Sequence, residues 1–492
     1  MVREFWSNLR RLPAERIVLQ DDSRALTRAQ LEQQVSQVAD ALIASGVRRL
    51  GLHADNSASW VVLDLASQQA GVVCVPLPLF FSGSQLTHVL ASCGIDSVAT
   101  VAPASFDSLP AESGDGLAGL TLLRNRHASA VPLPEGTGKV TFTSGSTGTP
   151  KGVCLSWAQQ FRQARVLAET VDLPGPRHLC VLPLPTLLEN IAGVYAPLMA
   201  GGEVVVSSLS TLGFEGSRLV SLERFLAAIT QTRPQTLVLI PQLLHALVQS
   251  AKRGWKPPPM DFIAVGGSRV SPALIDEARA LGLPVYEGYG LSECASVVSL
   301  NTPRHDALGT AGRILSSIQV VLEDGEIVIE GNAMLGYVGD PSSWHKHAFA
   351  SGDTGYLDGA GFLHINGRRK NLLISSYGRN IAPEWVESEM LATPVLADAV
   401  VFGDAQAYCV ALVSTRDPNL SDEEVQTAID AANARLPDYA QVLRWHRLPA
   451  ALSAAHPELL TANGRPRRAE IAQAFASQLG ALYSTPRAVP SH

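Results

Sequence analysis

With 492 residues, 46% of them hydrophobic and 17% charged, the chain is too apolar to stay disordered and too long for one compact core, which predicts several subdomains around one globular body. A formal net charge of -7 without any long Lys/Arg run gives no field that would gather nucleic acid or an anionic membrane, so small-molecule chemistry is favoured. Six cysteines (Cys74, Cys93, Cys154, Cys180, Cys294 and Cys409) form no C-x-x-C pair, which argues against a disulfide framework or a zinc site and predicts reduced thiols in a cytoplasm.

The first residues, MVREFWSNLRRLPAE, are basic and broken by a proline, and lack the apolar segment of a secretory signal. The richest apolar stretches, such as QTLVLIPQLLHALV, are too short or too polar to span a bilayer, so a soluble protein is expected. Residues 24–46 carry apolar positions at helical spacing, and the next stretch alternates strand-like and helix-like runs. Residues 102–137, richer in Pro, Gly, Ser and Asp, read as a surface connection. Short apolar strands follow in HLCVLPLPT, GGEVVVSS, TLVLIP, DFIAVGGS and LPVYEGYG, with helical text between them. That order predicts an α/β fold of helix-covered parallel sheets.

Beyond Gly312 the pattern changes. IQVVLEDGEIVIEG alternates around a central Asp-Gly and predicts a hairpin in a small antiparallel, barrel-like unit. GFLHINGRRKNLLISSYGRNIAPEWVESEML reads as hairpin, turn and helix, and leads into a small α+β unit. The expected domains are therefore residues 1–367 and 368–492, with the boundary near Arg368 to Lys370.

Ahead of the second set of strands stands TFTSGSTGTPKGV, Thr141 to Val153. Glycines at Gly145, Gly148 and Gly152 let a backbone approach a ligand; Thr143, Ser144, Ser146, Thr147 and Thr149 offer hydroxyls, and Lys151 a positive charge. This is equipment for a polyphosphate. It is not a Walker A loop, because Lys151 follows Pro150 rather than a glycine.

The stretch resembles the phosphate-binding signature of the adenylate-forming superfamily, which comprises AMP-dependent acyl-CoA synthetases, luciferases and peptide-synthetase adenylation domains. The pattern is nearest to the long-chain fatty-acid types. EGYGLSECAS resembles the second motif of that superfamily and implies that Glu287, Gly288, Tyr289, Gly290 and Ser292 border the nucleotide, with Tyr289 on adenine, Ser292 at the phosphate and Glu293 on magnesium. An aromatic face, a hydroxyl and a carboxylate on one tight turn suit a magnesium nucleotide. SGDTGYLDGAGFLHINGRRKN resembles the third block and implies Asp353 on the ribose hydroxyls, assisted by Arg368. AVGGSRVSP is similar to the segment beside the nucleotide and acyl pocket, which adds Gly266, Gly267 and Ser268. The resemblance implies a large domain followed by a small mobile one, with Lys370 at the hinge.

Two departures stand out. In LPLPTLLEN, Thr186 takes the position of a frequent His, and Asn190 follows Glu189 where long-chain enzymes carry Arg. In LLTANGRPRRAEI, Arg465 takes the position of the superfamily lysine that meets the reacting carboxylate and α-phosphate. The resemblance implies ATP·Mg²⁺-dependent activation of a carboxylic acid, aliphatic by its long-chain-like text, to an acyl-adenylate. Transfer to coenzyme A or an acyl carrier protein would follow, with Lys151, Glu293 and Arg465 as the catalytic residues. The alternative is a weakened nucleotide- or acyl-adenylate-binding protein, since Arg465 replaces that lysine.

Overall fold

The computed structural model describes residues 1–106, 109, 116–143, 150–216, 218–377, 379–461 and 464–484. Two sheets carry the large domain. In a seven-stranded sheet, Arg49–His53, Val73–Pro76, Ser97–Thr100 and Lys139–Thr143 run parallel, while Thr121–Arg124 and Lys151–Leu155 pair antiparallel beside them. In a nine-stranded sheet, Ile17–Asp21, Glu203–Val206, Arg177–Cys180, Thr236–Leu239, Phe262–Val265 and Val285–Tyr289 are parallel. These strands are short apolar runs because helices cover the sheets and leave little of them to water. Thr121–Arg124 corrects the reading of 102–137 as mere connection: TLLR pairs with Ser97–Thr100, and its Gly- and Pro-rich flanks hid it.

Helices begin where the sequence supplies reciprocal caps, at Thr27 with Gln30, Ser82 with Gln85, Ser156 with Gln159 and Ser421 with Glu424. The expected hairpin forms between Gln319–Glu323 and Glu326–Glu330. Its turn residues Asp324 and Gly325 have φ of 48° and 77°, the left-handed pair that matches strand twist. With Ala348–Leu357 and Leu363–Arg368 it completes a four-stranded antiparallel sheet. In the small domain, Leu396–Phe402, Cys409–Thr415 and Val442–Arg447 form a sheet that buries Val386, Val401, Val413 and Ile429 against Pro383–Leu391 and Asp422–Asn433. All six cysteines are free and buried. Among the described residues no helix is long and apolar enough to cross a membrane.

The core contains a fully buried Lys–Asp ion pair. Lys139 Nζ lies 2.7 Å from Asp64 Oδ1 and donates to Asn190 Oδ1 at 2.5 Å and Tyr195 Oη at 2.9 Å. Asn190 Nδ2 donates to Asp64 Oδ2 at 3.0 Å, and Tyr195 Oη donates to the same oxygen. The Trp157 and Tyr195 rings stand 5.0 and 5.1 Å from the ammonium. This network accounts for Asn190, because an arginine there would set a second cation beside Lys139 with one carboxylate to balance both. Its neighbour Glu189 is also a core residue, meeting His178 Nε2 at 3.3 Å.

Removing one partner of such a pair strands the other. Asp64→Ala is expected to lower the stability of the large domain by about 3–5 kcal/mol in urea unfolding. Replacing the pair by Asp64→Leu with Lys139→Met should recover most of that loss, and a loss below about 1 kcal/mol for Asp64→Ala would contradict the account.

Candidate active site

Of the predicted site residues, Thr143, Glu287, Gly288 and Tyr289 fall at the carboxyl ends of parallel strands, where open α/β sheets receive ligands, and Gly266 to Ser268 follow another such strand. Thr143 closes Lys139–Thr143, and Lys151 opens the antiparallel strand opposite it; the Thr143 hydroxyl faces the Lys151 carbonyl at 3.5 Å. The two therefore hold the ends of the phosphate-loop segment. Ser144, Gly145, Ser146, Thr147 and Gly148 lie outside the described residues.

Glu287, Gly288 and Tyr289 end the strand Val285–Tyr289 of the other sheet, and Ser292 and Glu293 sit in the short turn Ser292–Cys294 that follows. This turn is tightly built. Ala295 and Ser296 have φ of 54° and 93°, and a Cβ on Gly290 would lie 1.7 Å from the Ser296 carbonyl oxygen, so only glycine fits. Cys294 is buried in the core on this turn, while the Glu293 carboxylate accepts from Tyr337 Oη.

The structure joins three of the predicted residues directly. Tyr289 Oη donates to Asp353 Oδ2 at 2.6 Å, and Arg368 Nε donates to Asp353 Oδ1 at 2.7 Å. Asp353 and Arg368 are cross-strand partners, which places the guanidinium on the carboxylate by register alone. Asp353 is 5% exposed, and its pKa is raised by burial against the opposing pull of Arg368 and Tyr289. Burial and the Asp353 charge together push the Tyr289 phenol far up, so it stays a donor. A carboxylate with about four acceptor positions can take ribose hydroxyls beside these two donors.

Arg465 reaches this cleft from the small domain. Its guanidinium donates to the carbonyl oxygen of Gly267, and its backbone is pinned by the Thr461 hydroxyl at 3.0 Å. Gly267 and Ser268 are exposed in the loop after Phe262–Val265. Desolvation and then Arg368 oppose the Arg465 charge, while Asp353, Glu384 and Glu293 support it. Lys370 lies at the same edge, its pKa lowered by desolvation and by the nearby charges of Arg368 and Lys151. Four cations thus meet around a few carboxylates, as an anionic ligand requires.

Sequence reasoning missed Tyr337 and Arg269. Tyr337 Oη donates to Glu293 Oε1 at 2.9 Å while the Lys151 ammonium stands 5.4 Å from its ring, so one side chain couples the two sheets' functional groups. The text LGYVGD gave a signal, a lone aromatic in a glycine-bounded pair of strand residues. Arg269, partly buried, donates to the Ile365 carbonyl at 2.8 Å and faces Glu287. The Glu287 carboxyl is pushed up to about 8, chiefly by desolvation, with Arg269 and the Val270 amide pulling the other way.

That shift has a definite sign. The native chain keeps the Glu287 proton between about pH 4.5 and about 8, where the unfolded chain has lost it, so stability falls as pH rises through that window. Glu287→Gln cannot titrate and is expected to gain on the native chain in melting temperature as pH goes from about 5 to about 9. Parallel curves would contradict this.

Comparison with known proteins gives the family and the fold. A family model described as AMP-binding enzyme matches residues 5–338, and one described as AMP-binding enzyme C-terminal domain matches 370–487. The long-chain-fatty-acid–CoA ligase FadD15 of Mycobacterium bovis is 25% identical over 93% of this chain and 92% of its own. Feruloyl-CoA synthase of an Amycolatopsis species is 29% identical over 86% of this chain and 87% of its own. The anthranilate CoA ligase AuaEII, solved with anthranoyl-AMP, superposes with a TM-score of 0.79 at 18% identity, covering 96% of this chain and 98% of that one.

Proposed function

This chain belongs to the AMP-binding enzyme family and is an AMP-forming acid–thiol ligase using ATP, Mg²⁺ and coenzyme A, and we propose that its cleft activates an aliphatic carboxylic acid. The observation that carries the assignment of residues is the bonded trio Tyr289, Asp353 and Arg368 beside Lys151 and Arg465. In this reading a carboxylate oxygen bonds to the α-phosphorus of ATP, the bond to the β-phosphate oxygen breaks and pyrophosphate leaves. A thiolate then bonds to the acyl carbon, and AMP departs with the electron pair of the broken acyl–oxygen bond.

The division of labour follows from chemistry. Asp353 and Arg368 hold the ribose, Tyr289 offers its ring to adenine, and Gly266 to Ser268 border the acyl group. Thr143 to Lys151 bind the phosphates. Glu293, a hard oxygen donor aimed into the cleft by Tyr337, suits Mg²⁺, which supplies charge neutralisation on the phosphates when bound. Arg465 is the cation at the transferring centre. Residues 1–367 and 368–492 act as the two domains, with Lys370 at the hinge, and the six free thiols suit a reducing cytoplasm.

The aliphatic assignment draws on the match to a long-chain ligase over nearly the whole chain. Feruloyl-CoA synthase, at higher identity, favours an aryl acid as the second reading. Pyrophosphate release across fatty acids of short to long chain and a set of aryl acids decides between them: activity confined to aryl acids overturns the aliphatic reading. Offering coenzyme A and a phosphopantetheinylated carrier protein in parallel, and weighing the products, tests whether a carrier protein also serves as acceptor.

Asp353→Ala and Tyr289→Ala are each expected to weaken ATP binding at least about tenfold in calorimetry, the scale of one hydrogen bond to a charged group. Unchanged affinity in both would refute the nucleotide assignment. Arg465→Ala is expected to slow pyrophosphate release about a hundredfold. Lysine is shorter than arginine and lacks its fork of donors, so Arg465→Lys forfeits the Gly267 contact and should also be slower than the native chain. A faster Arg465→Lys would mean that the native chain is a weakened adenylating enzyme.

A further inference from the structure

Ser271 precedes the helix Pro272–Ala280 with an extended backbone, φ -68° and ψ 132°, the place from which a serine ordinarily caps its helix. It makes no cap bond. Its hydroxyl instead donates across the domain interface to Glu389, 3.2 Å from both carboxylate oxygens. Glu389 lies on the small-domain helix Pro383–Leu391. The two residues are 2% and 6% exposed, so the contact is sealed from water.

The carboxylate is held in place from its own side. Arg435 Nε donates to Glu389 Oε2 at 2.7 Å, and the Arg435 terminal nitrogen donates to the Glu389 carbonyl at 2.7 Å. Glu389 thereby holds its negative charge at Ser271, beside the amino end of the large-domain helix, where the helix dipole favours a carboxylate.

This contact shares a loop with the cleft. Gly267 accepts from Arg465, Arg269 secures the loop to Ile365, and Ser271 engages Glu389, so alternate residues of one segment meet successive groups around the interface. We propose that Ser271 and Glu389 form a docking latch that seats the small domain and so delivers Arg465 to the cleft. They are positioning residues for adenylation. The proposal rests on the reading of Arg465 given above.

The test uses the full chain with whichever acid it turns over best. Ser271→Ala and Glu389→Gln are expected to lower the kcat of pyrophosphate release about tenfold, with KM for ATP changed less than about twofold. Conversion of supplied synthetic acyl-adenylate by coenzyme A should stay within about twofold, because that substrate has already passed the step Arg465 serves. Ser271→Thr, which keeps a hydroxyl, should restore most of the rate. Equal losses in both half-reactions, or unaltered pyrophosphate release in both variants, overturn the latch. A native chain that releases no pyrophosphate with any acid overturns the functional reading instead. The latch is then judged by trypsin cleavage at the exposed Arg369, Lys370 and Arg379 between the domains. Glu389→Gln must speed that cleavage about tenfold, and an unchanged rate overturns it.

Discussion

The buried Lys139–Asp64 pair is the contact on which the cleft depends. Asp64 comes from a helix packed on the seven-stranded sheet, Lys139 from a strand of that sheet, and Asn190 and Tyr195 from the π-helical segment Glu189–Tyr195 that follows strand Arg177–Cys180 of the nine-stranded sheet. A charge taken out of water has to find its partner in one geometry, so the pair fixes the two sheets against each other more sharply than apolar packing alone does. The strand that holds Lys139 ends at Thr143, four residues from the buried ammonium. What fixes the sheets therefore also fixes the phosphate-loop end relative to Tyr289 and Glu293 across the cleft.

Around that cleft, the carboxylates are held by neutral donors as well as by cations. Tyr289 stands on Asp353 and Tyr337 on Glu293, each phenol at hydrogen-bond length from a carboxylate. Such an arrangement keeps each acid oriented before a ligand arrives, and orientation in advance is what positioning catalysis needs. The strain stored at Ala295 and Ser296 serves the same end, since the turn must bend sharply to bury Cys294 while the Glu293 side chain meets Tyr337.

Much of this was legible in the sequence where function lies in contiguous text. The strand order, the Asp-Gly hairpin, the group Tyr289 to Glu293 and the pair Asp353 and Arg368 each occupy a short string whose residue types carry their own chemistry. Pairing across distance was not legible. Tyr337 meets Glu293 from 44 residues away and Ser271 meets Glu389 from 118, and nothing in the neighbouring residues says which group each would meet. The strand Thr121–Arg124 was hidden for the opposite reason: four residues of β-forming text carry less weight than the Gly- and Pro-rich flanks around them. Glu189 and Asn190, compared in the sequence with the long-chain pattern, lie in the core, where the partners His178 and Lys139 decide what fits.

The six buried cysteines have a consequence for an enzyme that makes acylating agents. An acyl-adenylate waits for a thiolate, and any thiolate of the protein itself would compete with coenzyme A and end as a self-inflicted acyl-cysteine. Burial pushes the thiols of Cys93 and Cys154 up to about 12 and that of Cys409 to about 11, and raises Cys74, Cys180 and Cys294 well above the ordinary range. Cys294 follows Glu293 directly in the chain, yet its sulfur is packed into the core. The catalyst is thus chemically deaf to its own product, and the intermediate can persist until a foreign thiol enters.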